Sequence, residues 1–338
     1  MRNAIRWLST LLVVMLAGAA QAQTAIKFAL DWRWEGPAAP FTVALDRGYF
    51  KAEGLDVTID TGSGSVEGIN RVASGTYQMA FADINSLIRF RDKPENAAVK
   101  AVMMVYDAPA FAIVSLKKNG ITRPRDLEGK VLGAPAPDGA YAQWPAFVAA
   151  NKIDASKVKI ENIGFPVREP MLAQGKVDAI TGFWFSSFIN LKANGVPHDD
   201  IVVLLMSEHG LALYGNAILV NPDFAKSNPA AVRAFLRAFV KAVQDTIRDP
   251  ESAVKGVVKR NPTVQEASEL ERLKMSLAKN YITADVRKNG IGDVDVGRLA
   301  RSIEQIAISF KFTGKPPAPA DVWTAEFLPP RDQRLLPK

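Results

Sequence analysis

From residue 25 to about residue 220 the chain alternates short β-rich runs with stretches of helical spacing. That alternation restricts it to α/β architectures, in which strands share a sheet and helices cover its faces. Residues 25–30 (AIKFAL) read as a first strand, followed by a helix over 40–50 that ends near Gly48. Residues 55–59 read as a second strand, and the turn Thr61-Gly62-Ser63-Gly64-Ser65 opens a helix running to about Ala73. Residues 79–82 form a third strand leading through Asp83 into a helix over 84–90. Polar and aromatic residues follow each strand's C-terminal end, the edge at which open α/β sheets hold ligands.

Residues 99–106 and 110–116 are extended apolar runs separated by Asp107-Ala108-Pro109. They read either as a crossover between two lobes or as core strands of one continuous domain. A second α/β set follows: strands over 131–134, 157–162 and 179–185, with helices over 138–151 and 169–174 between them. The stretch 211–220 (LALYGNAILV) is again β-rich and able to return the chain to a first lobe. From Pro229 the pattern becomes helical. Val232, Phe235, Leu236, Phe239, Val240, Val243 and Ile247 repeat at helical spacing, Asn228 or Ser227 is placed to cap, and Pro229 suits the first turn. Further helices are expected over 252–258, 264–279 and 294–310. At 338 residues the chain is about twice an ordinary domain of roughly 150 residues, which favours two lobes.

Composition then narrows the chemistry. There is no cysteine, and the histidines are His198 and His209. Disulfides, thiol nucleophiles and Cys-ligated zinc are excluded, and a Ser-His-Asp triad has little room. Neither histidine has a second at ligand spacing, so no metal and no cofactor is expected. The net charge of +7 comes from Lys and Arg interleaved with acids, the pattern of a solvated surface with no nucleic-acid stripe. At the N-terminus, Arg2 and Arg6, the apolar run over 11–16 and Ala20-Gln21-Ala22 have the layout of a cleaved signal peptide over 1–22. The apolar run is shorter than the roughly 20 residues of a membrane span. With no cysteine at the cleavage site for a lipid anchor, export to a free, periplasmic existence is expected.

Tryptophans and carboxylates mark the candidate site. Trp32 and Trp34 follow the first strand, Trp144 lies in the helix after Asp138, and Trp184 ends the strand over 179–185. All four could face one cleft and offer stacking platforms, or they could be large core residues. Asp31, Asp83 and Asp138 stand at strand ends or helix starts, where Asp is equally a helix cap. Asp31, followed by Trp-Arg-Trp-Glu, is the least natural cap of the three. Ser63 and Ser65, in the Gly-Ser turn, could present hydroxyls and N–H groups to an anion. The turn matches neither the dinucleotide glycine pattern nor a phosphate loop.

The runs Phe28-Ala29-Leu30-Asp31-Trp32 and Gly48-Tyr49-Phe50-Lys51-Ala52-Glu53-Gly54-Leu55-Asp56-Val57 resemble the periplasmic solute-binding proteins of ABC importers. They are most similar to the branch that handles thiamine pyrimidine precursors, taurine, alkanesulfonates and nitrate. Asp126-Leu127-Glu128-Gly129-Lys130-Val131 and Gly175-Lys176-Val177-Asp178-Ala179 extend the likeness. The resemblance implies a type II fold: two lobes, each a mixed sheet flanked by helices, joined by two crossovers. Lobe 1 is then expected over 23–107 and 215–338, and lobe 2 over 108–214. It also implies a non-catalytic monomer that closes about a hinge on one small solute and hands it to a membrane permease, its one contact with the membrane. The family's pocket positions fall on Asp31, Trp32, Trp34, Ser63, Ser65, Asp83, Asp138 and Tyr141, and Trp184 joins them as the aromatic end of its strand. The Trp and Asp set suits a planar, amino-bearing solute resembling a thiamine pyrimidine precursor. A sulfonate, nitrate or aromatic carboxylate, and a pyrimidine-synthase-like enzyme on the same scaffold, are the alternatives.

Overall fold

The computed structural model describes residues 23–337. The expected signal peptide, residues 1–22, lies outside them. Among the described residues, ten strands form two five-stranded sheets. The first contains β1 (Thr24–Ala29), β2 (Leu55–Asp60), β3 (Met79–Asp83), β4 (Lys100–Met104) and β10 (Asn216–Val220), in the order β2-β1-β3-β10-β4. The second contains β5 (Phe111–Leu116), β6 (Val131–Ala134), β7 (Lys159–Asn162), β8 (Ala179–Phe183) and β9 (Ile201–Leu205), in the order β7-β6-β8-β5-β9. Each sheet has three parallel strands followed by one antiparallel strand, β10 in the first and β5 in the second. The chain passes between sheets twice, from β4 to β5 and from β9 to β10. This is the type II periplasmic binding protein architecture.

Burial explains why these segments are strands. β3, β5 and β10 are buried at every position, the continuous apolar run of a strand covered on both faces. β2 lies at an edge and alternates. The Gly48–Val57 run has a structural meaning here. Gly48, at φ +69°, stops the helix Ala39–Asp46 in a left-handed conformation that a side chain would resist. Phe50 then stacks on Phe235 with centroids 4.7 Å apart, and Leu55 starts β2 fully buried. Phe235 belongs to the helix Pro229–Arg248, whose apolar face covers β1 through Phe28 and meets Phe41 through Phe239. The helix begins at Asn228 with Pro229 in its first turn, although the Asn228 side chain makes no capping bond.

Several sequence expectations need correction. The helix expected over 138–151 is two pieces, Gly139–Ala142 and Trp144–Asn151, because Pro145 has no N–H to continue the ladder. The strand expected over 179–185 stops at Phe183, and Trp184 begins the helix Trp184–Ala193. The β-rich stretch 211–220 is a strand only from Asn216, and β9 had no counterpart in the sequence reading. The segment expected as a helix over 264–279 divides into Glu266–Ser276 and a π-helical turn, Leu277–Tyr281.

Candidate functional site

The two sheets present their strand ends to each other across a cavity of about 650 Å³, including its open mouth. Its first-sheet wall is the segment that leaves β1. Asp31 is 7% exposed there, and Asn216 Nδ2, from the start of β10, donates to its Oδ2 at 2.5 Å. Ser65 Oγ approaches the same oxygen at 3.5 Å and accepts from the Asp83 backbone N–H at 3.1 Å. Burial pushes the Asp31 carboxyl up to about 7, with a contribution from the neighbouring Asp83 charge, while the Asn216 and Ser65 hydrogen bonds act in the opposite sense. A hydrogen bond from the Asp31 backbone N–H to its own carboxyl acts in that same lowering sense.

Trp32 is held at both ends. Its Nε1 donates to Glu35 Oε1 at 3.0 Å, and its ring meets Phe165, from the second-sheet side, edge-on at 4.5 Å with Arg33 over the other face. Trp32 and Phe165 therefore close one end of the slot from opposite walls. Glu35 Oε2 accepts from Ser186 Oγ at 2.7 Å, and Arg272 Nη1 lies 3.4 Å away. Arg272 also pairs with Glu269 and donates to Asn190 Oδ1 at 2.7 Å, so one buried ionic cluster joins the Glu35 segment, the C-terminal helices and the helix Trp184–Ala193.

The floor is aromatic. Tyr106 sits edge-on to Phe81 at 5.3 Å and to Tyr281 at 5.2 Å, and Phe183 and Phe185 complete the apolar surface. Asp138 faces them from the second lobe. Its Oδ1 accepts from Ala140 N at 3.2 Å and its Oδ2 from Thr181 Oγ1 at 2.9 Å, so it caps its helix and also lines the cavity. Burial raises its carboxyl above the usual range, and the Arg168 charge opposes that shift.

The other candidates are placed differently. Asp83 is fully buried behind the wall, where it caps the helix Ile84–Phe90 and accepts from Asn85 N, Ser86 N and Ser86 Oγ. Gln143 Nε2, from the opposite lobe, reaches it at 3.3 Å, and burial pushes its carboxyl up to about 6. Ser63 is exposed, its N–H donating to Glu67 Oε2. Trp34 packs outward, with Arg260 over its ring and its carbonyl accepting from Asn261. Trp144 is core, beside Phe147. Tyr141 packs against the core beneath the second sheet. Trp184 donates to Asn280 Oδ1 at 3.2 Å and borders a separate shallow groove. Of the nine candidates, Asp31, Trp32, Ser65 and Asp138 line the cavity, and Trp34, Ser63, Asp83, Tyr141 and Trp184 do not.

Glu35, Tyr106, Phe165, Arg168, Phe183, Phe185 and Ser186 line it without having been singled out in the sequence. One signal existed. Phe183 and Phe185 flank Trp184 at the C-terminal end of β8, the sheet edge at which ligands are held. The Gly-Ser turn is explained by packing: Gly64 has φ +121°, and a Cβ there would lie 2.6 Å from the Pro137 carbonyl oxygen across the cleft.

A family model described as NMT1/THI5 like matches residues 37–253. The chain belongs to that family. Curated relatives of this NMT1/THI5-like protein include the riboflavin-binding protein RibY of Chloroflexus aurantiacus, 28% identical over 86% of this chain and 82% of that one. A formylaminopyrimidine-binding protein of Halalkalibacterium halodurans is 25% identical over 80% of this chain and 85% of its own. A 4-amino-5-hydroxymethyl-2-methylpyrimidine phosphate synthase of Aspergillus parasiticus is 26% identical over 70% and 71%. Among solved structures, the periplasmic aliphatic sulphonate binding protein SsuA of Escherichia coli superposes with a TM-score of 0.70 at 13% identity, covering 90% of this chain and 99% of that one. The fold is thus that of the solute-binding proteins.

Proposed function

We propose that the protein is a periplasmic receptor of an ABC importer that closes about a hinge on a planar nitrogen heteroaromatic of the aminopyrimidine type. The observation that carries this reading is Asp31. A buried carboxyl that desolvation pushes up to about 7, with Oδ2 held by Asn216, stands at the head of an aromatic slot. Protonated, Oδ1 donates to a ring nitrogen; ionised, it accepts from an exocyclic amine. The two relatives named as binding proteins take riboflavin and formylaminopyrimidine, which have a pyrimidine ring in common.

Charge argues against a sulfonate or nitrate. Glu169 neutralises Arg168, and Arg272 is shared between Glu35 and Glu269, which leaves Asp31 and Asp138 facing Arg33 alone. Of the buried carboxylates, Asp138 on the cavity wall and Asp83 behind it are both engaged as helix caps, which leaves neither poised to transfer protons to a ligand. Isothermal titration with an aminopyrimidine panel and with taurine and nitrate tests the ligand class, and small-angle scattering tests closure. Tight taurine binding with no pyrimidine binding overturns the ligand class. Conversion of the bound pyrimidine to a new compound during incubation overturns the receptor reading in favour of a synthase. Periplasmic residence, with residues 1–22 as the signal peptide, is tested by N-terminal sequencing of the exported protein.

A further inference from the structure

Arg168 is 4% exposed and lies on the cavity wall of the second lobe. Its Nε and Nη2 both donate to one oxygen, Glu169 Oε1, at 2.9 and 2.6 Å, and Ser187 Oγ donates to that same oxygen at 2.9 Å. The guanidinium is therefore fixed in plane, and among the described residues its third nitrogen, Nη1, has no acceptor. A Cβ on Gly182 would come within 2.5 Å of Ser187 Oγ and 3.1 Å of both Nη1 and Cζ, so the hydroxyl and the guanidinium together occupy the space a side chain would fill. Asp138 is close enough for its charge to be felt, yet both its oxygens are engaged by Ala140 and Thr181. An immobilised N–H donor on a cavity wall, unpaired within the protein, favours an acceptor on whatever fills the cavity.

Building on the proposed receptor function, we infer that Arg168 determines specificity by donating through Nη1 to a neutral carbonyl on the ligand. The ligand class becomes an aminopyrimidine that also bears an oxo, formyl or amide oxygen, held by Asp31 from one lobe and by Arg168 from the other. The acceptor is neutral because Arg168, Glu169 and Asp138 together carry one excess negative charge, which disfavours an anion at this point.

Calorimetry with 4-aminopyrimidine, 4-aminopyrimidine-5-carboxamide, 4-aminopyrimidine-5-carboxylate and cytosine tests the inference. Wild-type protein is expected to bind the carboxamide or cytosine about tenfold or more tightly than 4-aminopyrimidine, and to gain nothing from the carboxylate. In Arg168→Met with Glu169→Gln, which removes the paired carboxylate along with the guanidinium, and in Gly182→Ala, which crowds Ser187 and the guanidinium while keeping the charge, the preference is expected to fall below about threefold. A merely structural Arg168 would weaken all ligands alike and leave the ratio unchanged. Loss of the preference in either variant that folds supports the inference. Its persistence there, or wild-type binding of 4-aminopyrimidine with no preference for a carbonyl, overturns it and leaves the proposed function standing. Wild-type binding of none of the four overturns both.

Discussion

Asn216 Nδ2 donates to Asp31 Oδ2 at 2.5 Å, although 185 residues separate the two in sequence. The bond ties the second residue beyond β1 to the first residue of β10. It holds a buried carboxyl whose proton is retained up to about pH 7 in the folded protein and lost near 3.8 in the unfolded chain. Between those values the folded state binds more protons, so stability falls as pH rises through the window and levels off above it. The Asp31→Asn variant removes this dependence. Wild-type protein is expected to lose on the order of 2–3 kcal/mol between pH 5 and pH 8 relative to that variant, read from paired urea titrations. Parallel pH profiles for the two proteins would contradict it.

Trp32 and Trp34 stand two residues apart and have different neighbours. Trp32 meets Phe165 across the cleft, whereas Trp34 packs under Arg260. Trp32→Ala is expected to weaken binding of an aminopyrimidine about tenfold or more with a small change in Tm. Trp34→Ala is expected to lower stability by about 2–3 kcal/mol and leave affinity within about threefold. Titration calorimetry and thermal melts on both variants separate the two effects, and an equal loss of affinity in both would place Trp34 at the ligand.

Gly64 is where the first lobe's backbone approaches the second. A Cβ 2.6 Å from the Pro137 oxygen obstructs that approach, and the residue's φ of +121° resists a side chain independently. Gly64→Ala is expected to cost at least about tenfold in affinity and to keep the radius of gyration from shrinking on ligand addition. Unchanged scattering and affinity would show that the lobes have slack at this point.

Arg272 holds Glu35 and Glu269 within one buried cluster. Arg272→Met leaves two buried carboxylates without a cation and is expected to destabilise by about 3–5 kcal/mol. Combining it with Glu269→Gln is expected to recover part of that loss in denaturant titrations, since fewer charges are then left unpaired. No recovery in the double variant would show that packing of the arginine stem, and not its charge, stabilises the cluster.

Much of the fold was legible because α/β periodicity is a local signal. The Gly48 helix stop, the Phe50 plug and the apolar face of the helix Pro229–Arg248 each follow from spacing within about 20 residues. The cavity was only partly legible. Asp31 and Trp32 announce themselves by following a strand, but Arg168 and Phe165 reach the cleft because helix Arg168–Ala173 docks on the second sheet, a tertiary fact with no local pattern. Trp34 and Trp184 are large aromatics after strands, yet Glu35, Phe183 and Phe185 line the cavity in their place, because the loop after β1 and the strand-to-helix junction at Trp184 set side-chain direction in a way that residue type does not reveal. Asp83 shows the opposite limit: position alone does not separate a cap from a ligand contact.

β10 enters the first sheet between β3 and β4, pairing antiparallel with both. All strands of the second sheet lie between β4 and β10 in the chain, so that sheet can assemble as an uninterrupted insert while the first waits for a central strand made more than 100 residues later. The first lobe then has the higher contact order and the slower folding step. During synthesis its edges at β3 and β4 stand open until residues 216–220 emerge, so the first sheet stays unlocked over an interval in which the second can already close.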